Sequence, residues 1–140
     1  MADFSALSLS PVPMPPGSFV STCDADFPIG TPVYASGAGA CDKARANAVG
    51  TATPLGLALY TGIEGRRVRL KNTGPLTLSA AEWAGVVSSD SGALVPGDRY
   101  FLSQATAGKI TNVEPESGLV VAIGVALSTT GLLLQLLTPQ

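Results

Sequence analysis

Short stretches in which apolar and polar residues alternate, separated every eight to twelve positions by turn residues, run through most of this chain. That spacing predicts half-buried β-strands rather than helices. Val33-Tyr34 opens one strand after the turn residues Pro28-Ile29-Gly30, and Leu55 to Tyr60 forms another. In Arg67 to Lys71 the charges alternate with Val68 and Leu70. Arg67, Arg69 and Lys71 therefore share one strand face, and Arg66 joins the apolar pair on the other. Asn72-Thr73-Gly74-Pro75 predicts a turn, and Leu76-Thr77-Leu78 a short strand. Ser79 and Glu82 have the spacing of a capping box, so one short helix is expected near residues 79–85. Further strands are expected over Arg99 to Ser103, Lys109 to Val113, Leu119 to Leu127 and Leu132 to Leu137. Ala38 to Val49 reads as a loop with at most one short helix. Roughly ten short strands of this kind predict an all-β, mainly antiparallel fold, either a small β-sandwich or a β-barrel.

The pattern also repeats. Gly30 is followed by an aromatic residue, Tyr34, and then by Ser36; Gly97 is followed at the same spacings by Phe101 and Ser103. Leu55-Gly56-Leu57-Ala58-Leu59 returns as Ile123-Gly124-Val125-Ala126-Leu127, 26 positions after the first glycine and 27 after the second. A repeat of this length implies a duplicated β-unit. Residues 27–140 are read as a single β domain built from two related units, 27–60 and 93–127, with a linking segment, 61–92. Residues 1–26 read as an extended, proline-rich N-terminal arm. Phe4, Leu7, Leu9, Val12 and Met14 are larger and more apolar than a disordered linker carries, which suits an arm that docks on a neighbour.

Composition narrows the function. Charged residues make up 13% of the 140, about half the usual share, while 46% are hydrophobic. So little charge predicts surface covered by further copies of the chain or by a partner. The net charge of −2 argues against nucleic acid as that partner. The apolar tail from Gly131 to Leu137 is too short to span a membrane, and the N-terminus has neither the basic region nor the apolar run of a signal peptide. Cys23 and Cys41 are 18 positions apart, which is not a zinc or CxxC spacing. A disulfide and a pair of free buried thiols both fit.

The residues offer little chemistry. The chain has no histidine, the commonest general base and metal ligand. Asp24 with Asp26, and Glu114 with Glu116, flank single residues and read as solvated loop acids. Gly37-Ala38-Gly39 lacks the strand-to-helix setting of a phosphate loop. No catalytic residue, metal or cofactor is expected, and the chain is read as not an enzyme. Trp83, the single tryptophan, is a candidate for the core or for a subunit contact.

Leu76 to Trp83, Gly92 to Ser103, Ala107 to Thr111 and Gly118 to Ser128 together resemble a recurring module of tailed-bacteriophage virion proteins. In that module a helical segment bearing a tryptophan precedes a strand of the form GLxPGxxYYLS, then a hairpin and a glycine-containing strand. The module occurs in capsid decoration (cement) proteins and in head- or tail-fibre proteins. This chain has neither shaft repeats nor a coiled coil, which suits a stand-alone cement protein. The resemblance implies a virion structural protein on the outer capsid surface, made in the host cytoplasm, whose partners are the major capsid protein and its own copies, a homotrimer being favoured. Phe4, Leu7, Leu9, Val12, Met14 and Pro15 would form the docking arm. Trp83, Leu132, Leu134 and Leu136 would serve the core or the subunit interface. A head-fibre, tail-fibre or baseplate component that binds host glycan is the alternative.

Overall fold

Ten strands, one α-helix and one 3-10 turn make up the described residues, 18–88 and 93–136, of the computed structural model. The first five strands are β1 (Ser18–Cys23), β2 (Pro32–Gly37), β3 (Ala40–Lys43), β4 (Pro54–Ala58) and β5 (Arg67–Lys71). They close into a barrel in the order β1-β3-β2-β4-β5. The second five are β6 (Thr73–Thr77), β7 (Arg99–Leu102), β8 (Ile110–Thr111), β9 (Ala122–Ala126) and β10 (Gly131–Gln135). They form one sheet in the order β6-β10-β9-β7-β8. All pairings are antiparallel except β1 with β3 and one isolated bridge, Val87 with Ile110. The fold is therefore all-β, and its first half is a barrel.

The two halves share one plan. In each, the first strand pairs with the last, the last with the fourth, the fourth with the second, and the second with the third. The repeated glycines mark matching atoms. Gly30 and Gly97 both have φ of 88°, a left-handed conformation that glycine adopts without steric cost. Gly30 N–H donates to Ala58 O at 2.8 Å, and Gly97 N–H to Ala126 O at 2.8 Å. In return, Ala58 N–H donates to Thr31 O at 3.0 Å and Ala126 N–H to Asp98 O at 2.9 Å. The matching extends to the parallel contacts. Cys23 lies opposite Cys41 where β1 meets β3, and Val87 lies opposite Ile110 in the second half. Between β6 and Val87 the second half carries α1 (Ala80–Ala84), which the first half lacks.

Local sequence explains the elements. Val68 and Leu70 are fully buried, while Arg67 is exposed and Arg69 and Lys71 are half-buried, as alternation on a barrel wall requires. α1 has the expected capping box: Ser79 Oγ accepts from Glu82 N–H at 3.2 Å, and the Glu82 carboxylate accepts from Ser79 N–H at 2.8 Å. Cys23, Phe27, Val33, Cys41, Ala58, Val68 and Leu70 fill the barrel. A larger core holds the second half together, centred on Trp83, Tyr100, Ile110, Leu132 and Leu134. Ala44, Ala46, Ala52 and Leu57 of the first half join that core, so the two halves pack through it.

Five sequence expectations change. The arm expected over 1–26 does not include Ser18 to Cys23, which is a barrel strand paired along β5; residues 1–17 lie outside the described residues. The segment 61–92 is not a separate link: β5 completes the first half and β6 begins the second. Thr73-Gly74-Pro75 is strand rather than turn. Proline is tolerated there because, among the described residues, β6 is an edge strand paired with β10 alone. Ala40 to Lys43, read as loop, is β3; Arg66, read onto the apolar face, stands exposed in the turn before β5, where its charge stays in water.

Candidate functional site

The outer wall of β1 and β5 carries the densest positive charge. Across the pair, Arg67 lies opposite Thr22, Arg69 opposite Val20 and Lys71 opposite Ser18. Val68 and Leu70 point into the barrel, so the three cations face outward. Val20 is 37% exposed beside Arg69. Arg69 Nε is buried yet has no hydrogen-bond partner. The chain preceding Ser18 joins β1 at the Lys71 end of the same wall.

A second feature is the loop between β4 and β5. Phe27 and Gly62 exchange backbone hydrogen bonds of 3.1 and 2.8 Å, and the Phe27 ring occupies the place a Gly62 side chain would need. Asp26 accepts from Glu64 N–H at 2.8 Å. The loop is thus pinned, with Tyr60 47% and Ile63 49% exposed at its tip. Such a pre-ordered apolar tip is suited to a protein contact, since little freedom is lost on binding.

The candidate residues fall into three groups. Phe4, Leu7, Leu9, Val12, Met14 and Pro15 lie outside the described residues. Trp83, Leu132 and Leu134 are core, with at most 1% of their surface exposed, and Leu136 packs against them partly buried. Trp83 Nε1 donates to Thr130 O at 2.7 Å, which ties α1 to the turn before β10. The wall cations and the apolar tip form a third group. The alternating charges at 67–71 signal the wall in the sequence. The tip carries no motif, because residues distant in sequence, Phe27 and Asp26, fix it.

A cleft of about 320 Å³ opens beside Ser103, Gln104 and the exposed acids Glu114 and Glu116. Its two serines are committed to structure: Ser103 Oγ accepts from Ala105 and Thr106 N–H at 3.2 and 3.1 Å, a turn motif, and Ser88 Oγ donates to Ile110 O at 3.3 Å. Asp24 accepts a hydrogen bond from Ser36. Among the described residues no group of three or more Cys, Asp or Glu is placed to hold a metal ion, and no helix is long and apolar enough to cross a membrane.

Tyr100 is the buried titratable group with most structural consequence. Its hydroxyl accepts from Val95 N–H at 2.9 Å and donates to Ala93 O at 3.3 Å, which anchors the loop leading to the Pro96-Gly97 turn. Burial pushes its phenol above the ordinary range; the Val95 hydrogen bond opposes this, and the Asp98 charge adds to it. A phenol with a raised folded-state value contributes stability that is intact below the unfolded value of about 10. That contribution is lost as pH rises through the folded value. Unfolding free energy should therefore fall above about pH 10. Tyr100→Phe should remove that part of the profile, at a cost near neutral pH of about 1 kcal/mol. Urea melts of both proteins across the alkaline range measure the difference; parallel profiles would refute the assignment.

Compared with protein-family models and with curated proteins, the chain matches none.

Proposed function

We propose that this chain is a structural protein of a tailed-bacteriophage virion, a capsid decoration (cement) protein. It binds the outer head shell as a homo-oligomer, a trimer being favoured, and stabilises the shell. The observation that carries the reading is the module spanning residues 76–128, with its tryptophan helix, Pro96-Gly97 turn, Tyr100-Phe101-Leu102-Ser103 strand and Ile123-Gly124-Val125-Ala126 strand. The low charge of the chain and the rigid double β-unit support it. In this reading the apolar segment from Phe4 to Pro15 is the docking arm, and it joins the domain beside the cationic wall. Contact by arm and wall together strengthens attachment, because the second contact forms at high effective concentration once the first is made.

The test uses purified full chain and expanded, undecorated capsids. Saturable co-sedimentation in fixed proportion to the major capsid protein is expected. Removing residues 1–17 should abolish binding while the β domain keeps its circular dichroism and melting transition. An oligomer that ignores capsids but binds fibres or host polysaccharide would overturn the decoration reading in favour of a fibre or baseplate role.

A further inference from the structure

The only two cysteines of the chain are each other's register partners. Cys23 and Cys41 face one another across β1 and β3, the one parallel contact of the barrel and the contact that closes it. Both side chains are buried, at 1% and 0% exposure, in the barrel core. Asp24 N–H donates to Cys41 O at 2.8 Å and Thr22 N–H to Gly39 O at 2.9 Å, so the two strands are held in register on either side of the pair. Both thiols are free in this structure. The corresponding pair of the second half is Val87 and Ile110, two ordinary core residues. Packing alone therefore does not demand sulfur at this seam. Two cysteines placed independently among so many positions would rarely fall on one cross-strand pair.

We propose that Cys23 and Cys41 form a reversible intramolecular disulfide that closes the first barrel covalently. The oxidant is a low-molecular-weight disulfide such as oxidised glutathione. One cysteine thiolate attacks it, forms a mixed disulfide and releases one reduced thiol. The second cysteine then displaces the other, so two protein thiols become one disulfide and two reduced small thiols leave. Burial of the thiols sets the rate: at 1% and 0% exposure they meet an external disulfide only through a local opening of the barrel, and burial also holds the Cys41 thiol above its ordinary range. The reaction is consequently slow in the closed barrel and the bond, once formed, is shielded. The bond restrains the unfolded chain across the segment from Cys23 to Cys41, which raises the melting temperature.

Full-length protein incubated with oxidised glutathione until its thiol content is constant tests this directly. Ellman titration after denaturation should find no free thiol, and the intact mass should be that of a monomer lighter by two hydrogens. The melting temperature should rise by about 5–10 °C and return on reduction. The double variant Cys23→Val with Cys41→Ile, which takes the residues of the second half, should fold and show no such redox response. Retention of both thiols, glutathione adducts, cross-linked dimers, or a disulfide without a rise in melting temperature would each overturn the proposal.

Discussion

Trp83→Ala is expected to remove about 4 kcal/mol of stability, a large part of what a single domain possesses. Trp83 is fully buried and stands at the centre of the larger core, between α1 and the sheet. Its loss leaves a void in the core it shares with Leu76 and Leu132, which cannot fill it without moving the strands that carry them. The hydrogen bond is the smaller part of the loss. Thr130 O also accepts from Leu78 N–H at 3.0 Å, so the substitution leaves that carbonyl with a partner. Trp83→Phe keeps most of the volume and should cost only about 1–2 kcal/mol. Urea denaturation followed by far-ultraviolet circular dichroism, which does not depend on the tryptophan, measures both. Equal losses would mean that the indole hydrogen bond, not volume, dominates. The burial has a functional corollary: host polysaccharide should leave the fluorescence of Trp83 unchanged, because no part of the ring reaches solvent.

Gly124→Ala should cost about 3 kcal/mol, and Gly56→Ala about 1–2 kcal/mol. The two positions match in the repeat, and at each a neighbouring backbone crosses where a side chain would stand. A methyl group on Gly124 would lie 2.1 Å from Leu133 O; on Gly56 it would lie 2.8 Å from Lys71 O. A backbone carbonyl cannot swing aside as a side chain can. Relief at Gly124 therefore requires β10 to shift against β9, where Gly124 pairs with Leu134 and Val125 with Leu133. That movement would disturb Leu132 and Leu134 in the core at the same time. The smaller overlap at Gly56 calls for a smaller shift of the Lys71 backbone. Denaturation midpoints of the two variants give the ranking, and a Gly56 variant as damaged as the Gly124 variant would contradict it.

Much of the fold is written in short-range signals. The strand alternation at Arg67 to Lys71 depends only on which side chains tolerate water, and the capping box at Ser79 and Glu82 satisfies its own helix end. Gly30 and Gly97 are legible for the same reason, because a left-handed turn demands each locally, whereas Gly56 and Gly124 are demanded by the backbone of a neighbouring strand and show in the sequence only through the repeat. β1 and β3 were hidden because Ser18 to Cys23 follows a proline-rich run and Ala40 to Lys43 is rich in small residues that do not favour strands. Both gain their pairing from distant partners, β1 from β5 and β3 from β2.

The sequence by itself determined the all-β class, the duplicated pattern, the helix start and the absence of histidine chemistry, since each follows from local preference or from composition. Only the tertiary structure decided that the repeat is five strands long in each half, that the first half closes as a barrel, and that Cys23 meets Cys41. It also placed Trp83 wholly inside and pinned Tyr60 and Ile63 outside. These outcomes depend on which strands meet across long stretches of chain. Such pairing is set by the burial of the whole core rather than by the preference of any one segment.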